Sequence, residues 1–163
     1  MNYSIPPTSS QKVEEALQVY LKKSFAPSQA SASLEAFFHD KLYVSKVIEK
    51  GLSFSFFQKI QDLLSFTEKD WAEYLNISTK SLQRHRKEKN YFFKPLHSEK
   101  ILEIVELVHR GESVFGSSEK FHTWLNTPSV ALGGKKPFDL LKNSYGRSLL
   151  LDELNRIEHG IFA

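Results

Sequence analysis

Thr67-Glu-Lys-Asp-Trp-Ala-Glu-Tyr-Leu-Asn-Ile-Ser-Thr-Lys-Ser-Leu-Gln-Arg-His-Arg-Lys87 is the stretch that decides the fold. Thr67, with Asp70 three residues on, has the pattern of a helix N-cap with acids in the first turn, although Asp in place of Glu weakens the reciprocal capping box. Trp71, Ala72 and Leu75 then fall on one helical face. Ser78 has the pattern of a second cap, opening a helix over 79–87. Between the two stands Asn76, at a turn where Gly is commoner; Asn tolerates the left-handed conformation nearly as well. Ala72 is small enough for the two helices to cross closely, and Ile77 and Leu82 are placed to tuck under the unit. The spacing predicts a helix-turn-helix.

Working outward, the flanks read as further helices. Residues 1–11 carry Pro6, Pro7, Thr8, Ser9 and Ser10 and read as a frayed tail. Val13, Ala16, Leu17 and Tyr20 recur at helical spacing, and 27–33 is small and polar, a loop or a helix start. A second helix is expected over 40–50, closed by Gly51 in the left-handed conformation, and a third over 54–64. On the other side, Tyr91-Phe92-Phe93 is placed either to stack on bases or, the better reading, to pack the returning chain on the core. A longer helix is expected over 98–110 with Ile101, Ile104, Val105 and Val108 inward and Gly111 after it. A helix capped by Ser117 runs through Trp124, and Gly133-Gly134 reads as a tight turn. Pro137 starts a short helix to Lys142, and a last helix covers about 147–158 and ends at Gly160. No segment sustains period-two alternation, so the predicted class is all-α, a central helix-turn-helix bundle followed by a small helical module. The expected divisions are 1–50, an N-terminal helical segment; 51–111, the helix-turn-helix domain; and 112–163, the module.

Composition narrows the function classes. The chain has 163 residues, 40% of them hydrophobic and 25% charged, enough for a core in one domain or two small ones. No apolar run is long enough to cross a bilayer, and the start lacks the basic and apolar regions of a secretory signal, so no membrane association is expected. There is no cysteine, which removes disulfides, thiolate nucleophiles and cysteine-bound metal and fits a cytoplasmic location. The six histidines, His39, His85, His97, His109, His122 and His159, form no pair at ligand spacing on one helix, so no metal is expected. No catalytic constellation and no cofactor motif stand out.

The local charge fits either nucleic-acid binding or a solvated basic helix with no DNA role. Between Ser78 and Lys94 lie Lys80, Arg84, Arg86, Lys87, Lys89 and Lys94 against Glu88 alone, although the whole chain carries only +3. Such a block neutralises phosphates. The second helix of the unit displays Thr79, Lys80, Gln83, Arg84 and Lys87, and its first turns would face the major groove, where Arg and Gln read guanine and adenine edges. A symmetric operator read by two such units requires a homodimer.

The C-terminal third carries Trp124-Leu-Asn-Thr-Pro128, Leu132-Gly-Gly-Lys-Lys-Pro137, Leu140-Leu141 and Arg156-Ile-Glu-His-Gly160. In this order, with Val114-Phe115-Gly116 ahead of them, they resemble the toxin-binding domain of the Xre/MbcA/ParS antitoxins. Gly51-Leu52, Ser78-Thr-Lys-Ser-Leu-Gln-Arg84 and Leu96-His-Ser-Glu99 are similar to that family's helix-turn-helix segment. The likeness covers about 47–163; Tyr91-Phe92-Phe93 lengthens the region after the second helix relative to the family.

The resemblance implies an antitoxin of a type II toxin–antitoxin system, not an enzyme, whose partner is a cognate RES-domain toxin that consumes NAD and whose own promoter is its operator. It implies that 112–163 is toxin-binding. The candidate residues there are Arg147, Arg156, His159, Gly160, Ile161 and Phe162, with Arg156 the preferred plug for the toxin's active site and Arg147 the second choice. The competing class is a stand-alone helix-turn-helix transcriptional regulator.

Overall fold

The computed structural model describes residues 7–25, 31–88 and 90–161. Residues 1–6 of the expected tail, 26–30, of which 27–30 belong to the expected loop, Lys89 of the basic block, and Phe162 and Ala163 lie outside them. The chain divides into two compact units, Met1–Glu106 and Leu107–Ala163. Among the described residues the regular structure is helical, and the only β pairing is two isolated bridges, Ser53 with Phe92 and Ser129 with Lys135.

In the first unit, α1 (Ser9–Ser24) begins inside the expected frayed tail. The reason is a full capping box: Gln11 N–H donates to Thr8 Oγ1 at 3.2 Å, and Thr8 N–H to Gln11 Oε1 at 2.9 Å. Val13, Leu17, Tyr20 and Leu21 form its buried stripe, which packs against α4 (Phe54–Leu63). A helix that the periodicity did not yield, α2 (Leu34–His39), buries Leu34, Phe37 and Phe38 behind a Ser33 cap. It is too short for a 3.6-residue repeat to declare itself. Asp40 then caps α3 (Lys41–Lys50), with Tyr43 N–H on its Oδ1 at 2.9 Å.

Gly51 ends α3, but not in the left-handed helical conformation expected; its φ is +85° with ψ 145°. What demands glycine is the returning chain, since a Cβ there would lie 2.4 Å from the Phe93 carbonyl oxygen. Phe93 N–H donates to Leu52 O and Phe54 N–H to Tyr91 O, both at 2.8 Å. Ser98 is buried and pins the same crossing, accepting from Leu52 N–H at 2.9 Å and donating to Phe93 O at 3.3 Å. Phe93 meets Phe57, which meets Trp71, with centroids 5.0 and 5.1 Å apart. The aromatic run therefore packs the returning chain on the core, with Phe92 alone left 46% exposed. α5 (Glu68–Leu75), α6 (Thr79–Lys87) and the first half of α7 (Pro95–Phe115) complete the unit. α7 opens at Pro95, earlier than Ser98, because proline suits a first helical turn.

In the second unit, α7 runs on through Gly111 to Phe115, where the sequence reading had ended it at Arg110. Gly111 is a site of close approach, not a terminator: a Cβ there would come 2.1 Å from the Phe121 ring. Phe121 lies on α8 (Ser118–Asn126), capped by Ser117 through Lys120 N–H at 3.2 Å. Phe121 stacks on Trp124, and the Phe115 ring lies tilted against both. Two 3-10 turns follow, Val130–Leu132 and Pro137–Lys142, separated by a tight turn through Gly133 and Gly134 in which Ser129 N–H donates to Lys135 O at 3.0 Å. α9 (Ser144–Glu158) starts three residues before Arg147 because Asn143 caps it, with Gly146 N–H on its Oδ1 at 2.9 Å. Leu150 and Leu154 are buried on α9, which packs on the 3-10 turn before it.

Candidate functional site

The turn between α5 and α6 is built as the sequence requires. Asn76 is left-handed, φ 56° and ψ 46°. Ile77 N–H donates to Ala72 O at 3.0 Å and Asn76 N–H to Glu73 O at 3.1 Å, the paired bonds of a Schellman motif. The Thr67–Asp70 capping box is complete despite the shorter acid: Asp70 N–H donates to Thr67 Oγ1 at 3.1 Å and Thr67 N–H to Asp70 Oδ2 at 2.8 Å. Ala72 and Leu82 are buried and Ile77 is half-buried. Ser78 caps α6, accepting from Ser81 N–H at 3.0 Å.

With Leu82 holding one face of α6 down, Thr79, Lys80, Gln83, Arg84 and Lys87 are all exposed. Two of the five have protein partners. Arg84 lies 3.6 Å from Glu88, a solvent-facing pair one turn apart. Gln83 donates to Glu68 at 2.8 Å. Arg86, another member of the basic block, donates to the same carboxylate at 2.8 Å and to Gln61 at 3.3 Å. The hydrogen bond from Gln83, with those and the charge of Arg86, holds the Glu68 carboxyl below the ordinary carboxylate range despite some desolvation. In the sequence Glu68 reads only as a first-turn acid of α5 and Gln61 carries no signal, because neither lies on α6. His85 turns inward and stacks on Tyr91 with centroids 3.7 Å apart.

In the second unit, one end of α9 gathers four of the proposed contact residues. Ile161 N–H donates to Arg156 O at 2.9 Å and Gly160 N–H to Ile157 O at 3.1 Å, with Gly160 at φ +65°. Arg156-Ile-Glu-His-Gly160 is thus the sequence of a second Schellman close. His159 donates from Nδ1 to Asn155 O at 2.7 Å and is exposed, and Ile161 beyond it is 60% exposed. Arg156 donates to Glu153 Oε2 at 3.1 Å. Arg110 of α7 reaches this end as well, bonding Asn155 Oδ1 and, at 3.4 Å, Glu158.

Arg147 sits apart from this group, about 14 Å back along the helix axis at 1.5 Å per residue. It is 9% exposed, and its guanidinium donates to Leu141 O at 3.5 Å. The sequence reading passed over Tyr145, 88% exposed, and Leu149, 45% exposed, one turn apart on the outer face of α9. Their four-residue spacing was the available signal.

Residues 44–106 match the model of the antitoxin Xre-like helix-turn-helix domain. Residues 110–160 match that of the antitoxin Xre/MbcA/ParS C-terminal toxin-binding domain. A curated protein named Antitoxin Xre from Yersinia enterocolitica (serotype O:8 / biotype 1B) is 30% identical over 117 residues, spanning 71% of this chain and 78% of the relative. Another Antitoxin Xre, from Photorhabdus laumondii subsp. laumondii, is 26% identical over 120 residues, spanning 73% and 80%. With a helix-turn-helix closed by Asn76 and a helical module closed by Gly160, the chain belongs to the Antitoxin Xre family of toxin–antitoxin systems, whose members are not enzymes.

Proposed function

We propose that this antitoxin neutralises a cognate RES-type toxin by covering the toxin's NAD site with the C-terminal end of α9, and that it binds its own operator as a homodimer through α6. The observation that carries the first part is the Schellman close at Gly160, which turns the chain off the helix axis with Ile161 exposed at its tip. An apolar tip followed by Phe162 fits a concave pocket. Arg156, whose carbonyl accepts the Ile161 N–H, supplies a planar cation able to exchange Glu153 for an acid of the toxin. His159 and Gly160 shape the approach. Arg147, buried behind Leu141, contributes by holding the start of α9 against the turn before it.

The operator reading is supported by the exposure of Thr79, Lys80, Gln83, Arg84 and Lys87 along one helix behind a closed turn. An operator-binding antitoxin of this kind works in the cytoplasm, and among the described residues no helix is long and apolar enough to cross a membrane. The test is co-expression of a RES-type toxin with the chain truncated after Glu158 and carrying Arg156→Ala. Growth arrest with restored NAD hydrolysis is the expected result. Full rescue with hydrolysis still blocked would overturn the active-site part of the proposal.

A further inference from the structure

Glu68 is an acid placed where an operator-binding surface would want none. It opens α5, beside the helix that carries the basic residues, and a carboxylate near phosphate is repulsive. Its contacts give it another use. Oε1 accepts from Gln83 Nε2 and Oε2 from Arg86 Nη2, each at 2.8 Å, and the Glu68 side chain is 28% exposed. Arg86 neutralises the acid, and Gln61 steadies Arg86 from behind. One carboxylate thus ties two α6 side chains to α5.

The chemistry of that bond fixes the Gln83 amide. An ionised carboxylate accepts and cannot donate. The amide must therefore turn its nitrogen toward Glu68, which settles an orientation that side-chain shape alone leaves open. One N–H is used. The amide oxygen and the second N–H remain, an adjacent acceptor and donor that match the N6 and N7 edge of adenine in the major groove. Untethered, the amide can rotate to offer either group first, and ordering it on the base costs side-chain entropy.

We infer that Glu68 is a positioning residue for sequence recognition: it presets the Gln83 amide so that α6 favours adenine at the base pair Gln83 faces. This rests on the operator-binding reading above.

The test uses the full chain and no assumed operator. Wild-type protein selects from a pool of randomised duplexes, and the enriched duplex is the probe. Every base pair of it is then replaced in turn and bound by wild type, Gln83→Ala, Glu68→Ala, Glu68→Gln and Glu68→Asp. Gln83→Ala marks the pair that Gln83 reads. Glu68→Ala is expected to cut discrimination at that pair by about tenfold and leave the other pairs within about twofold, while the release of Arg86 raises affinity at low salt on every duplex alike. Glu68→Gln, whose oxygen still accepts from Gln83, retains more of the preference. Glu68→Asp keeps an acid at the helix start but withdraws it from reach, and should behave like Glu68→Ala; it serves if the alanine variant does not fold by circular dichroism. Wild-type preference retained in Glu68→Ala and Glu68→Asp, or equal loss at every pair, would overturn the inference while leaving operator binding intact. A wild-type chain that enriches no sequence would overturn both, and would do so before any variant is compared.

Discussion

The Phe121 ring lies over the backbone of Gly111 so closely that an added Cβ would sit 2.1 Å from ring carbon Cε2. α7 and α8 meet at that point, and Phe121 is buried, so the ring has nowhere to retreat. Gly111→Ala sets two effects against each other. Alanine is the better helix former by about 1 kcal/mol, while overpacking costs roughly 1–3 kcal/mol. At this distance the clash wins, and the variant should be less stable by roughly 1–2 kcal/mol in urea denaturation. Adding Phe121→Leu should recover part of that loss. An alanine variant as stable as wild type would show that the two helices do not meet this way.

Asn76 gives the complementary case, a left-handed residue that is not glycine. Asn76→Gly should be neutral or slightly stabilising, since glycine reaches φ 56° without strain. Asn76→Ala should cost about 1 kcal/mol, with Ser78 and Thr67 still capping their helices. Equal stability of the two variants, measured by thermal unfolding, would contradict the turn geometry.

These two positions show what was legible in the sequence. Asn76, Ala72, Leu82 and the Ser78 cap state the helix-turn-helix outright, because each is a local rule with a residue attached. Gly111 misled: a glycine after a helical stripe reads as a terminator, and only the Phe121 ring, ten residues away, reveals it as a packing position. Gly51 does end α3 as its place in the sequence implies, but the close approach that demands glycine there, the carbonyl of Phe93, is set by the fold. α2 escaped because six residues cannot carry a period. At the candidate sites the exposed face of α6 followed from Leu82 alone. The Glu68 tether and the Arg110 bonds to α9 did not, since both depend on which helices meet.

Stability should fall in two separate steps as pH drops. Burial, together with the charges of Lys100, Lys94 and His85, holds the His97 ring below its ordinary value of 6.5, and its Nδ1 has no hydrogen bond. Across that window the unfolded chain binds more protons than the folded one, so the contribution is complete above about pH 6.5 and is lost as pH falls toward the folded value. Glu68, held below its ordinary 4.5 chiefly by Gln83, contributes stability above that value and loses it at lower pH. His97→Phe, which keeps a ring beside Phe93, should flatten the step that begins below about pH 6.5 and leave the acid step in place. Glu68→Gln should do the reverse. A single step removed by neither variant would refute the assignment.

Arg84 and Lys87 should separate base reading from phosphate binding. Arg84 is paired with Glu88 at 3.6 Å, with side chains 68% and 45% exposed. A pair that open to water is worth about 0–1 kcal/mol, so Arg84 is released to DNA at little cost. If it takes a guanine edge, Arg84→Ala should lose about 1–3 kcal/mol on the selected duplex and relax the preference at one base pair. Lys87 is exposed one turn further on, where the helix end would approach the backbone. Lys87→Ala should weaken all sequences alike and lower the slope of log affinity against log salt by about 1. Glu88→Gln tests the same picture from the other side. It removes the acid that competes with phosphate for Arg84, so it should tighten binding at low salt and converge on wild type as salt rises. If Arg84→Ala and Lys87→Ala change specificity and salt slope in the same proportions, α6 is not divided between reading and anchoring, and both roles fall together.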